Sequence, residues 1–415
     1  MQHICDQTAR GMLDIFEARR RMTAAARALQ EFEIVPLEAA LGRVLGEAVS
    51  AEHDSPGVDN SAMDGYALRL ADMTPAGLPV VQRIPAGADV TALPPGGAAR
   101  IFTGAPLPQG ADCVVAQEQA WLDEKERLHL DAELAKGANI RRRGEEIRRG
   151  EPLLPAGKVL TPAVTALLAA QGIAQVCVTR RLKVALFSTG DELIEPGEPC
   201  RPGQVYNSNA AMLQALLAEQ HCEVVAREKL VDNPDAVDDA FARAREQADL
   251  VVCSGGVSVG EEDHVRGAIE RQGGIVFHGV AMKPGKPFAF GWLGESLERG
   301  TALIGLPGNP VGALVGWQLL ALPFVHGCQG RIPDELMHFS VESGFETKAN
   351  KARRELLRVR LDWSQGKPVA YPTGGQGSHM LGAAAAADGY LLMEVEEPIK
   401  KGHGYEYIPL SQFSS

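Results

Sequence analysis

The residues best suited to chemistry lie in three glycine-bearing loops of this 415-residue chain. They read Ser254-Gly255-Gly256-Val257-Ser258-Val259-Gly260, Lys283-Pro284-Gly285-Lys286-Pro287 and Leu306-Pro307-Gly308-Asn309-Pro310. Glycine accepts positive φ and lets backbone N–H groups come close to a ligand. A concave run of such groups binds phosphate-like anions. Asp263 follows the first loop, where it suits either a metal that travels with polyphosphate or the N-cap of the next helix. In the second loop two prolines limit φ, so Lys283 and Lys286 are presented around a rigid turn. In the third, Asn309 as N-cap and Pro310 in the first turn make a complete helix start, and its free N–H groups remain compatible with an anion.

A fourth segment, Ser188-Thr189-Gly190-Asp191-Glu192, sets two hydroxyls, a glycine and two carboxylates after an apolar run. Phosphate and Mg²⁺ binding is one reading; a capped helix start with acids favoured by the helix dipole is the other. Asp59-Asn60-Ser61-Ala62-Met63-Asp64-Gly65-Tyr66 reads as two successive turns. Arg141-Arg142-Arg143 gathers three guanidinium groups, with Arg141 and Arg143 facing one way if the segment is extended. His379 stands alone and is assigned no chemistry.

The elements that must hold these loops follow from periodicity. Residues 6–30 read as a helix; 31–52 as a short strand (33–36) and a helix (37–45). Residues 53–149, rich in Pro and Gly, read as short strands such as Leu78–Ile84 and Cys113–Gln117. Thr161-Pro162 opens a helix that stops at Gly172. From 183 strands and helices alternate: strands at 183–187, 222–230, 249–253, 275–281 and 301–305, helices at 209–220, 234–247, 263–272 and 310–325. Such alternation predicts a doubly wound, mostly parallel sheet, with ligands beyond the carboxyl ends of its strands. After 330, short strands at 339–343, 355–362, 390–395 and 406–410 predict a small β-barrel-like domain, with Ala383–Ala387 as a spacer. The expected fold is thus multidomain α/β plus β: a central α/β domain (183–330), a β-rich N-terminal domain (53–149), a C-terminal β domain (331–415), a connecting domain (31–52 and 150–182) and an N-terminal helix (1–30) packed on the α/β domain.

The formal charge of −12 disfavours nucleic acid and anionic membrane surfaces as partners. Seven scattered cysteines without a C-x-x-C pair argue against a disulfide framework or a structural zinc; Cys253, ending an apolar run, reads as a small core filler. With no apolar leader and no run of about 18 apolar residues, the expectation is a reduced, cytoplasmic setting.

Together these motifs resemble the MoeA family, the molybdopterin molybdenumtransferases, which includes the E domain of gephyrin. The segments that carry the resemblance are 56–67, Thr103-Gly104-Ala105-Pro106, Ile140–Glu146, 187–193, 254–260, 283–287, 307–310 and Gln376-Gly377-Ser378. It implies Mg²⁺-dependent insertion of molybdate into adenylylated molybdopterin, with release of AMP, in a homodimer whose active sites are shared. Asp59, Thr103, Arg141 and Glu146 would then serve the other subunit's site. Asp59, Glu146, Asp232, Asp263 and Lys283 would be catalytic, and Glu192 and Asp263 would hold the metal. Lys283 and Lys286 would hold molybdate with help from Arg353. Thr103, Arg141, Ser188, Thr189, Gly190, Asp191, Ser254, Gly255, Gly256, Pro307, Gly308, Asn309, Pro310 and Ser378 would contact substrate. Other proteins of molybdenum cofactor biosynthesis are implied as partners that hand on substrate or product.

Three positions depart from the family pattern. Glu146 replaces a more usual Asp, Gly279 stands where relatives often carry a base, and Gly312 stands where Ser is common. Of the competing readings, the related adenylyltransferase lacks the long flanks 1–182 and 331–415. A non-enzymatic scaffold does not need the full set of acids and lysines.

Overall fold

The computed structural model describes residues 12–131, 133–257, 264–350, 352–364 and 366–414. Two compact units emerge: Met1–Gly46 with Gly157–Thr165 and Gln175–Ser415, and Glu47–Ala156 with Ala166–Ala174.

The larger unit is built on a six-stranded sheet in the order 223–230, 183–189, 250–254, 301–306, 289–293, 273–278. Its first four strands are parallel, whereas Ala289–Leu293 runs antiparallel to both neighbours. Two-residue periodicity sorts the apolar side chains onto two faces. Val184, Leu186, Leu250, Val252 and Ile304 join one core with the helices Ile15–Ala25, Ser208–Glu219 and 310–328. Ala185, Phe187, Val251, Cys253 and Leu303 join another under the helices Pro234–Gln247 and His264–Gln272. Register aligns Ser188 with Ser254 and Ser254 with Leu306, so the loops that follow these strands leave from one edge.

The run 310–328 is a single apolar helix with mean hydropathy 1.5, long enough by composition to cross a bilayer; 78% of it is buried inside the protein, as befits a core helix. It contains a π-helical stretch at Trp317–Ala321. Pro323 explains part of this, because it has no N–H for the Leu319 carbonyl one turn back. Arg19 supplies the missing donor, its Nη1 lying 2.8 Å from Leu319 O.

Close by, His326 is nearly enclosed. Its Nε2 lies 2.7 Å from Arg331 Nη1 and 2.9 Å from Gln220 Oε1. Arginine only donates, so Nε2 accepts from Arg331 and the ring is neutral, and the Gln220 amide then presents its NH2 rather than its oxygen to Nε2. Burial, with Arg331 and Arg19 adding to it, pushes the pKa down to about 3 from 6.5. The unfolded imidazole therefore takes a proton that the folded one refuses. This contribution to stability is complete above pH 6.5 and is lost as the pH falls toward 3. His326→Gln should flatten the decline of urea midpoints between pH 7 and pH 4; an unchanged slope would contradict the assignment.

The C-terminal strands Phe339–Ser343, Arg354–Asp362, Val369–Pro372, Gly389–Met393 and Gly404–Pro409 close into a five-stranded barrel. Closure removes exposed strand edges. Met282–Lys283 adds a short parallel pairing to Arg354–Glu355 at one end.

The smaller unit is a β-rich body with a six-stranded sheet in the order 113–116, 65–68, 98–101, 78–84, 127–130, 120–122. It has apolar clusters on both sides, one around Ala67, Ala99 and Val114, the other around Leu68, Cys113 and Val115.

Several elements differ from the sequence expectation. The N-terminal helix is confined to Ile15–Ala25 among the described residues, because Ala26 turns to extended backbone. No helix forms over 37–45: a 3-10 turn at Leu37–Ala39 is followed by Gly42 at φ +74°, and Val44 and Leu45 bridge to Val159 and Val178. Ala289–Leu293 and Val369–Pro372 are additional strands. The alanine-rich spacer is a short helix, Leu381–Ala385, that buries Ala383 and Ala384. The helix Pro162–Ala170 begins as expected, with Thr161 Oγ1 accepting from Val164 N at 3.4 Å.

Candidate functional site

At the carboxyl edge of the larger sheet, backbone rather than hydroxyl groups faces outward. Ser188 and Ser254 are both buried. Asn207 Nδ2 donates to Ser188 Oγ at 2.8 Å, and Asn209 Nδ2 donates to Ser254 Oγ at 2.7 Å. Asn209 Nδ2 also reaches Gly308 O at 2.8 Å, tying the second and third strand ends together. Gly255 lies against both: its N–H donates to Leu306 O, and its Cα is 3.8 Å from where a Gly308 Cβ would be. Gly255 and Gly256 hold φ +88° and +64°, and a Cβ on Gly255 would come 2.8 Å from Thr189 O. Neither sequence signal nor motif singled out the two asparagines; a polar residue before a helix reads simply as a cap. Asn209→Leu would strand a serine hydroxyl and a carbonyl in a buried place. We expect a loss of about 1–3 kcal/mol in urea denaturation, and a change within error would refute its stapling role.

The acids line the same edge. The Glu192 carboxylate stands over Gly190, whose Cβ would meet Oε2 at 2.7 Å. Asp232 N makes a long 3.5 Å contact to Asp191 Oδ1, and Asp232 Oδ1 is 4.0 Å from His264 Nε2. Asp263 lies outside the described residues. Among the described residues no group of three His, Cys, Asp or Glu gathers as a metal cage. A cation held by one or two carboxylates and by substrate phosphates needs no such cage, so Glu192 fits a Mg²⁺ that arrives with polyphosphate.

The helix that starts at Pro310 meets the lysine turn. Asn309 occupies the N-cap position without a side-chain cap bond, unlike the sequence expectation. Instead Ser378 O accepts from Val311 N at 3.0 Å, which places the Gln376-Gly377-Ser378 turn at the helix start. Arg358, 1% exposed, clamps that turn: its Nη2 reaches Gly375 O and Gly377 O, each at 3.2 Å, and its backbone N donates to Gln376 Oε1. A Cβ on Gly312 would lie 3.3 Å from Gly285 Cα and 3.2 Å from Pro307 Cβ. Glycine at 312 thus matches the close approach of the Lys283–Pro287 turn.

Lys283 pairs with Glu355, Nζ to Oε1 2.9 Å. Lys286 anchors the turn through its carbonyl, which accepts from Val280 N and Phe288 N. A cavity of about 520 Å³ opens beside Lys283, lined also by Lys348, Asn350, Arg353, Glu355 and Gln376. Arg353 Nη1 donates to Met282 O at 3.2 Å.

In the smaller unit, one end gathers the other expected residues. Arg141 pairs in register with Asn60, and Asn60 bridges to Pro106. Leu107 N donates to Asp59 O. Thr103 N and Oγ1 both donate to Asp64 Oδ1, at 2.8 and 2.7 Å. Ser55 Oγ donates to Glu146 Oε2 at 3.1 Å. The arginine run is not extended throughout: the strand ends at Arg141 and a turn follows, closed by Glu145 N on Arg142 O. Arg142 Nη1 and Arg143 N hold Asp59 at 2.6 and 2.8 Å, while Arg143 Nε reaches Asp54 at 2.5 Å. These bonds, the Arg143 amide first, keep the Asp59 carboxyl below its ordinary range. Asp64 is lowered by the Thr103 amide and hydroxyl. Both are therefore charged at neutral pH.

The flanks and the centre all match one family. The MoeA N-terminal region (domains I and II) matches residues 13–172, the probable molybdopterin binding domain 185–327, and the MoeA C-terminal region (domain IV) 340–410. The molybdopterin molybdenumtransferase of Haemophilus influenzae is 38% identical over 93% of this chain and 95% of its own length. The chain belongs to the MoeA family. Molybdopterin molybdenumtransferase 2 of Mycobacterium tuberculosis is 37% identical over 94% of this chain and 96% of its own. The crystal structure of the molybdopterin biosynthesis MoeA protein from Pyrococcus horikoshii OT3 superposes with a TM-score of 0.80 at 26% identity, covering 96% of this chain and all of that one. Members of the MoeA family thus supply both the fold and the enzyme class.

Proposed function

We propose that this enzyme inserts molybdenum into molybdopterin, taking adenylylated molybdopterin and molybdate and releasing AMP, with Mg²⁺ as the required cation. One observation carries the reading: the Thr189, Gly255 and Gly308 backbones and the Lys283 turn converge on a single edge of the larger unit. The reaction breaks a phosphoanhydride, and the charge that develops on its oxygens needs donors and cations already in place. The backbone N–H of Gly256 serves the phosphates, while the Gly255 and Val311 N–H groups, bonded to Leu306 O and Ser378 O, fix the loop and the helix start that present it. Ser188, Thr189, Gly190, Asp191 and Ser254 shape that cradle, with Pro307, Asn309 and Ser378 setting the helix start. Lys283, Lys286 and Arg353 draw in the tetrahedral dianion. Mg²⁺, when bound through Glu192 and Asp263, would neutralise the leaving phosphate.

Asp232 lies near enough to His264 to orient a proton-accepting group at this edge. Asp59 and Glu146 are carboxylates, with Arg141 and Thr103 beside them in the smaller unit. In a homodimer these four complete the edge of the other subunit, the arrangement the family resemblance implies. The setting proposed is the cytoplasm, with other molybdenum cofactor biosynthesis proteins as donors and acceptors.

The test is a reconstitution: full-length protein, adenylylated molybdopterin and molybdate, with and without Mg²⁺. AMP and molybdenum-bound product should appear together and only with Mg²⁺. AMP release that ignores molybdate would end this reading.

A further inference from the structure

We propose that Glu355 is a positioning residue that aims Lys283 and sets the charge of the oxyanion cavity. This rests on the reading of that cavity as the place where molybdate enters. Register makes the two residues direct partners: Lys283 pairs with Glu355 where Met282–Lys283 meets the barrel strand. Directly opposed side chains leave a sheet on the same face. The Lys283 side chain is 44% exposed and that of Glu355 only 7%, so the carboxylate sits behind and the ammonium in front.

Both carboxylate oxygens are engaged. Oε1 takes Lys283 Nζ at 2.9 Å, and Oε2 accepts from Asn350 Nδ2 at 3.2 Å. A carboxylate fixed in this way does not swing, and a buried ion pair holds its geometry only when its remaining positions are satisfied. Of the three ammonium donors, one is spent on Glu355, and among the described residues no other ion pair takes the remaining two.

Charge completes the argument. The cavity lining holds Lys283, Lys348 and Arg353 against Glu355, the only acid among its described residues. Its described lining residues sum to +2, equal and opposite to a fully ionised tetrahedral oxyanion. Without the Glu355 charge, but with an acceptor still aiming Lys283, the cavity would over-attract anions and grip the dianion harder. Without any acceptor at that position, Lys283 would lose its aim.

The two consequences have opposite signs, and that separates positioning from mere support. Calorimetric titration of the full-length protein with sodium molybdate should show Glu355→Gln binding about tenfold tighter, because an acceptor remains for Lys283 while a negative charge is gone. Glu355→Ala should bind about tenfold weaker, because the ammonium is freed. Turnover should follow, with KM for molybdate falling in the Gln variant and rising in the Ala variant. If both variants weaken, or neither moves, while the wild type binds, the proposal for Glu355 is wrong and the cavity reading stands. A wild type that binds no molybdate ends both. Should Glu355→Ala fail to fold, the Gln variant alone decides: unchanged or weaker binding overturns the proposal.

Discussion

Lys283→Ala is expected to reduce turnover about 10²–10³-fold, the usual cost of losing one preorganised group facing developing charge. The same change unpairs Glu355, which is buried with only Asn350 left as a donor, and the loss of that partner lowers stability by about 1–3 kcal/mol. The two effects separate in a second variant. Lys283→Met combined with Glu355→Met removes both charges and replaces them with apolar bulk. Urea denaturation should show stability restored to near the wild-type value, since replacing a whole pair is far cheaper than breaking one. Turnover should stay as low as in Lys283→Ala. Activity returning together with stability would mean that Lys283 supports the fold and does no chemistry.

Gly255→Ala is expected to be nearly as severe, for a steric reason. The new Cβ would meet Thr189 O at 2.8 Å and Thr189 Oγ1 at 2.9 Å, on backbone held at φ +88°. A non-glycine residue held in such a region costs about 1–3 kcal/mol, and the loop must shift to relieve the contact. That shift moves the N–H groups offered to phosphate, and a misplacement of about 1 Å costs on the order of 10²-fold in rate. AMP release should drop by about that factor while circular dichroism stays close to wild type. Full activity would show that the Gly255 turn holds no substrate.

Much of this was legible from residue types. Apolar runs at 183–187, 249–253 and 301–305 announced a sheet covered on both faces, because a strand buried on two sides is apolar at nearly every position. The glycine and proline spacing announced the loops that leave it. What was hidden depends on contacts far apart in sequence. Ala289–Leu293 follows a proline turn and contains Gly291, so it carries little strand signal of its own; its two neighbours in the sheet make it a strand. Asn207 and Asn209 look like ordinary helix-start residues, and only the strand ends they bridge reveal the staple. Glu355 stood only as the first residue of the expected strand 355–362. It is buried where it lies between Lys283 and Met393 in the sheet, a placement no local pattern encodes. For the arginine motif the shared facing of Arg141 and Arg143 was expected only for an extended segment, and Gly144 at φ +65° closes a turn there. Arg142 and Arg143 hold Asp59 from that turn.

The most direct measurement is complementation between two inactive variants. Asp59→Ala and Lys283→Ala, carrying different affinity tags, are co-expressed, and the doubly tagged mixed dimer is purified. If each site draws Asp59 from one subunit and Lys283 from the other, one site in the mixed dimer is intact and the second carries both lesions. AMP release should recover to about half of the wild-type rate, as two-fold symmetry requires. A mixed dimer no more active than either parent would contradict a site shared between subunits.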